Sequence, residues 1–388
     1  MKRALLLLCS LIALTSAFAM IKVGTSLSLS GPIETLARNL QLGVQIYFDK
    51  VNAQGGVHGQ KLQLITLDNQ YDPLVAGQNV RRLINQDQVI ALIANNGSAL
   101  AMITVPIANE KKTLLFGAYP GTDILHKTPP DRYVINLRAS YAEEAAAMIR
   151  GLLSAGIQPK EIAFFAQNDA FGYSIYQGGL KALKAAGYPR PEKLPYGVYT
   201  RGTSNIEDAL AKIVQEAANV APKAIIMAGD YAPNAAFIQL ASKKFPHTIF
   251  MVASGLIHAR DIDKRMDGRL ILIQALPPLE SGLPAMREYR QDLKKYAKSA
   301  QPSDAGLSGY LAAKLFVMGL QQAQAQEKLN REGIIDVFEE MRNVNLGIGM
   351  KINFDKDHHT ALHTVWPTIF HQGKFLPLSW SEMKKYVQ

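Results

Sequence analysis

Four histidines and two acids crowd the last part of the chain: His358, His359, His363 and His371 with Asp355 and Asp357. Both residue types bind metals, and the i,i+4 pair His359 and His363 would share one zinc ion if the segment were helical. The flanking residues argue otherwise. The stretch 364–370 is β-rich, and on a strand those two side chains stand about 13 Å apart. The expectation is a solvated loop with ordinary histidines and no metal site. Common catalytic signatures are missing too: there is no G-x-S-x-G, G-x-x-x-x-G-K-[ST] or H-E-x-x-H, and no G-x-G-x-x-G after a strand. Neither an enzyme nor a cofactor is expected.

Better candidates are short polar and aromatic stretches that each follow an apolar run: 28–35, 95–98 and 119–122, then 167–171, 229–234 and 254–255. Ser98 opens a helical pattern. Its hydroxyl and the first free N–H groups of that helix suit a carboxylate, with the helix dipole adding to the attraction. A serine in that place also caps its own helix, and both readings stand. Tyr119, Phe171 and Tyr231 would wall an apolar pocket with polar tips.

The elements that must position these loops begin at 21–68. Ile21, Val23, Leu27 and Leu29 alternate with polar or small residues, which is strand period. Leu36, Leu40, Val44, Tyr47 and Val51 recur at helical spacing, NAQGG stops that helix, and KLQLITLD is a second strand. Two strands joined by a helix lie parallel with a right-handed crossover, and such sheets gather ligands at their carboxyl ends. The unit repeats. Strands are predicted at 89–94, 113–117 and 132–137, and a second round supplies 161–166, 193–199, 224–228, 249–253 and 270–276. Ser204 and Glu207 read as a capping box. Two sets of about five βα units predict two similar lobes. The tail is helix-rich and ends in short strands with no sheet of their own, which must pack back onto the lobes. Crossings between lobes are expected at 137–140, 275–278 and 345–349.

The chain has 388 residues, 48% of them hydrophobic and 19% charged, so it can bury a large core and is not disordered. Its formal charge is +10, but the basic residues are spread out, and nucleic acid is not an expected partner. Met1-Lys2-Arg3, an apolar run and Ala17-Phe18-Ala19 read as a secretory signal over 1–19, cleaved after Ala19. Without Lys2 and Arg3 the charge is +8. Cys9, the only cysteine, falls in that signal, so the mature chain makes no disulfide.

The chain resembles the periplasmic amino-acid-binding receptors of ABC transporters, the Leu/Ile/Val-binding type with the type I periplasmic-binding fold. The resemblance rests on LSGP at 29–32 with VNAQGGVHG at 51–59, then DNQYDP at 68–73, DAFG at 169–172 and GYLAA at 309–313. It covers essentially the whole mature chain. It implies an α/β fold of two Rossmann-like lobes with parallel-sheet cores joined by a three-crossing hinge. Lobe 1 would comprise 20–138 plus 278–347, and lobe 2 would comprise 139–277 plus 348–388. Such a receptor is a periplasmic monomer that closes on a small ligand and presents it to an ABC permease in the inner membrane. A sensor of the same fold that signals to a membrane partner is the alternative.

Carried over by position, Ser98 matches the hydroxyl that holds a ligand carboxylate. Pro120, Gly121 and Thr122, beside Tyr119, match a loop that holds carboxylate and amine. Phe171 matches a second-lobe aromatic, and Tyr231 another, with one residue of slack against Asp230. Ser254 departs from the pattern, because amino-acid receptors tend to carry an acid there to pair the ligand ammonium. Either Asp230 or Asp169 takes that role, or the ligand lacks an amine.

Overall fold

A computed structural model of the chain describes residues 20–387. The signal segment expected over 1–19, with its cleavage after Ala19, lies outside the described residues. The first sheet alternates with helices as the apolar periods predict: β1 (Ile21–Leu27), α1 (Glu34–Ala53), β2 (Leu62–Asp68), α2 (Pro73–Asn85), β3 (Ala91–Ile93), α3 (Ser98–Glu110), β4 (Leu114–Phe116) and β5 (Val134–Ile135). Its five strands are all parallel, in the order β2-β1-β3-β4-β5. β1 and β2 pair in full register from Ile21 opposite Leu62 to Leu27 opposite Asp68. The start of α2 is set locally: Asp72 accepts from the N–H groups of Leu74 and Val75, and Pro73 takes the first turn, where its missing N–H costs nothing.

The second sheet follows with α4 (Tyr141–Ser154), β6 (Ile162–Gln167), α5 (Ala170–Ala185), β7 (Tyr196–Tyr199), α6 (Glu207–Glu216), β8 (Ala224–Ala228), α7 (Tyr231–Lys244), β9 (Ile249–Val252) and β10 (Leu270–Gln274). The tail adds α8 (Pro284–Tyr296), α9 (Asp304–Ala325), α10 (Arg331–Glu340), β11 (Val344–Asn345), β12 (Lys351–Ile352), β13 (Trp366–His371) and β14 (Lys374–Pro377). Seven strands line up as β14-β13-β10-β9-β8-β6-β7. β13 runs antiparallel to β10, and β14 antiparallel to β13, so the closing hairpin does pack onto a lobe. The short β11 and β12 pair with each other instead, which gives the tail a small sheet the sequence does not announce.

The chain passes between the two sheets three times. The first two passages lie between β5 and α4 and between β10 and α8. The third does not lie at 345–349. Leu346, Ile348, Ile352, Phe354 and Leu362 are all buried in the core of the first lobe, so the chain leaves that lobe only before β13. Those side chains share that core with residues of α8, α9 and α10, while residues 359–361 bridge to Asn136 just after β5, and apolar burial helps hold the segment there. The capping box at Ser204 and Glu207 is not formed either. α6 begins at Glu207 with no side-chain cap, and the wholly buried Ile206 anchors its entry.

Two helices of the first lobe touch backbone to backbone. A methyl group on Gly43 of α1 would lie 2.0 Å from the Gly306 carbonyl oxygen of α9, and one on Gly309 would lie 2.1 Å from that of Leu40. Only residues without a Cβ permit this crossing, which fixes α9 and therefore its N-terminal residue, Asp304.

Candidate functional site

The loop between β3 and α3 is tied down by its asparagines. Asn95 Oδ1 accepts from the N–H of Ser26 at 3.2 Å, and Asn96 Oδ1 accepts from the N–H of Ser28 at 3.1 Å. Gly97 occupies the N-cap position at φ +89°, a left-handed conformation suited to glycine, and offers no capping side chain. The first N–H groups of α3 are therefore not capped by a side chain. Ser98 is the first helical residue, so its hydroxyl does not cap its own helix; it interacts with the hydroxyl of Tyr141 instead. The buried Nδ2 of Asn96 has no partner.

These groups line a small cavity between the lobes, about 30 Å³ in volume. The first lobe contributes Ile33, Leu36, Tyr71, Asn96, Gly97, Ser98, Tyr119 and Pro120. Phe171, Asp230 and Leu256 face them from the second lobe, and Tyr141 stands just after the first passage. Phe171 leans on Tyr141 with ring centroids 4.9 Å apart. Asp169 caps α5 by accepting from the Phe171 N–H at 2.9 Å, which sets the direction of that ring.

A polar network crosses the gap and shows the lobes closed on each other. Gln167 Nε2 donates to the Tyr71 hydroxyl at 3.1 Å and to Asp169 at 2.9 Å. The Tyr199 hydroxyl donates to Gln167 Oε1 at 2.8 Å and accepts from the Asp230 N–H at 2.9 Å. Arg201 donates to the Tyr71 carbonyl at 2.6 Å and lies over its ring at 4.8 Å. Burial lifts the Asp230 carboxyl to about 7, the neighbouring Asp169 adds to the rise, and Tyr71 and Arg201 oppose it.

Of the residues singled out from the sequence, Ser98, Tyr119, Pro120, Phe171 and Asp230 meet around this cavity. Gly121 and Thr122 do not line it. Gly121 is pressed against the backbone at Ala139 and Tyr141, and the Thr122 hydroxyl bonds the Ser174 hydroxyl at 3.1 Å, across to the second lobe. Tyr231 stacks on His258 at 4.3 Å, with Tyr119, Asp304 and Asp230 near its hydroxyl. Ser254 sits apart in a buried ion pair. Its N–H donates to Glu144 at 2.9 Å, and its hydroxyl accepts from Arg138 at 2.9 Å while Arg138 also binds Glu144 directly. An acid does stand beside Ser254, but it comes from α4 and is already neutralised. Asn96 lies within the candidate stretch 95–98, whereas Tyr71, Tyr141 and Leu256 were not singled out. Tyr71 lies inside DNQYDP, the one signal that points to it.

The histidines divide. His358 is exposed beside Asp355, but His359 is buried, with Nδ1 2.9 Å from the Val134 carbonyl and Nε2 3.3 Å from Glu339. The solvated loop expected there is thus corrected at His359, which packs against β5 and α10. His363 pairs with Glu143 at 2.6 Å. Among the described residues no group of three His, Cys, Asp or Glu could hold a metal ion.

The profile of the periplasmic binding protein family matches residues 20–372. The chain belongs to that family. It is 33% identical to a possible leucine/isoleucine/valine-binding protein from Rhodopirellula baltica SH 1, with a TM-score of 0.88 over 94% of this chain and 98% of that one. A substrate-binding periplasmic protein from Ralstonia solanacearum shares the fold at a TM-score of 0.80 and 24% identity, over 92% of this chain and 100% of the other. Leu/Ile/Val-binding protein homolog 7 of Brucella abortus (strain 2308) is 23% identical over 380 residues, 93% of this chain and 91% of its own. This periplasmic binding protein is therefore a ligand-binding receptor rather than an enzyme, and its family implies a periplasmic location.

Proposed function

We propose that the protein captures an amino acid or a related small carboxylate between its lobes and delivers it to an ABC importer. One observation carries this reading. The side-chain-uncapped start of α3, Asn96 with its unpartnered Nδ2, and Ser98 line the same interlobe cavity. Three kinds of donor at the positive end of a helix suit an anionic group. Tyr119, Phe171 and Leu256 supply apolar walls for the rest of a ligand. The cavity in the closed form is about 30 Å³, room for little more than one water, so a ligand enters while the lobes are apart and closure follows.

A thermal-shift screen of amino acids, amides and small organic acids tests this, because a ligand that binds only the native state raises the melting temperature. Ser98→Ala is expected to weaken the best carboxylate by roughly 1–3 kcal/mol in calorimetry. Unchanged affinity would remove Ser98 from the site. Delivery is tested by co-purification of the ligand-loaded protein with a permease, and cleavage after Ala19 by the mass of the exported chain.

A further inference from the structure

Tyr119 lines a second small cavity between the lobes as well, about 20 Å³ in volume and bounded by Arg138, Ser254, Gln274, Leu276, Asp304 and Ser308. Ser98 faces only the first. The positive charge in the second chamber is already spoken for, since Arg138 binds Glu144, Ser254 Oγ and the Tyr119 carbonyl. The negative charge has only the N-terminal turn of α9, which Asp304 opens, to favour it. Asp304 accepts from Gln274 Nε2 at 3.0 Å, and among the described residues no Lys, Arg or His forms an ion pair with it. Its titratable neighbours are Glu280 on the loop before α8, Tyr119, Tyr231 and Tyr289, none of them a cation.

The amide of Gln274 completes the argument. Because its nitrogen is turned to Asp304, its oxygen points elsewhere, and that oxygen has no partner although Gln274 is only 8% exposed. The chamber is thus lined by a carboxylate, an amide whose carbonyl has no partner and, one helical turn after Asp304, Ser308 with its hydroxyl. Such a set of acceptors matches a group with several donors and a positive charge, and an ammonium offers three.

We propose that this chamber binds an ammonium group of the ligand, with Asp304 and Gln274 as the residues that select it. Tyr119 stands between the two chambers, so the ammonium lies at the far end of the ligand from the carboxylate and not on the adjacent carbon. The ligand class is the ω-amino carboxylates. Burial, with the nearby Glu280 adding to it, lifts the Asp304 carboxyl to about 6, which leaves it ionised at neutral pH and available to a cation. The proposal rests on the reading that the carboxylate seats at Ser98.

Calorimetry on the mature chain at neutral pH tests it with 4-aminobutyrate, 5-aminopentanoate and 6-aminohexanoate against butanoate, pentanoate, hexanoate and leucine. The best ω-amino acid is expected to bind at least about tenfold tighter than its matched carboxylate and than leucine, the scale of one charge-assisted hydrogen bond. Asp304→Asn removes that advantage and leaves the plain carboxylate within about twofold, while Gln274→Met, which strips the bare carbonyl, acts in the same direction. Retained binding of the plain carboxylate shows that each variant is folded. If leucine or a plain carboxylate binds as tightly as the ω-amino acids while Ser98→Ala still weakens it, this inference fails and the carboxylate site stands. If no carboxylate binds, or Ser98→Ala has no effect, both fail.

Discussion

Asp230 shows how much one side chain can say about a cleft. It sits at the end of β8, 4% exposed, with Asp169, Tyr71 and Arg201 around it, and its carboxyl rises to about 7. The folded protein therefore keeps a proton that the unfolded chain releases at ordinary carboxylate pH. The stabilisation this gives is present below about pH 4 and is lost as pH climbs through about 7. Asp230→Asn, which stays neutral, is expected to stabilise the ligand-free protein by roughly 1–4 kcal/mol above pH 7 and by almost nothing near pH 4. Urea unfolding across that range checks it, and a gain independent of pH would show that the carboxyl titrates normally. Ser254 makes the opposite point. Read alone, it lacks the acid that an ammonium needs; in place, it is a donor to Glu144 inside a neutral pair with Arg138.

Helices and strands were legible wherever burial has a period. α1, α2 and α5 follow their apolar stripes, and the loops after β3, β6 and β8 lie at strand carboxyl ends as parallel pairing demands. What local reading misses is contact between distant elements. GYLAA marks α9 as a helix, but only the packed structure shows Gly309 against Leu40 and Gly43 against Gly306. Gly43→Ala is expected to push α1 and α9 apart at a cost of roughly 1–3 kcal/mol, the usual scale of overpacking. Thermal unfolding would show it as a lowered melting temperature. An unaltered one would mean that the two backbones can separate freely. The displacement of α9 carries Asp304 with it, so the same variant also loosens the second chamber.

For the whole molecule the decisive event of the proposed function is closure. Arg201 from the second lobe grips the Tyr71 carbonyl and ring of the first, next to the Gln167 bond to the Tyr71 hydroxyl. Arg201→Ala is expected to shift the ligand-free protein toward the open form, seen as a larger radius of gyration in small-angle scattering, and to weaken ligand binding by roughly 1.5–3 kcal/mol, the scale of a hydrogen bond to a charged group. A scattering profile identical to the parent's would show that Arg201 does not hold the lobes shut. The sequence by itself determined the two-sheet α/β fold, the parallel βα order and the loops that would carry a site, because hydrophobic period and strand-end chemistry are properties of short stretches. Only the tertiary structure decided which loop residues face one another across the gap, that Thr122 latches the lobes instead of lining the pocket, and that Glu144 neutralises Arg138 while Asp304 is left without a cation. Those outcomes depend on side chains far apart in the chain meeting in a low-dielectric space, where the partner present or missing sets the charge.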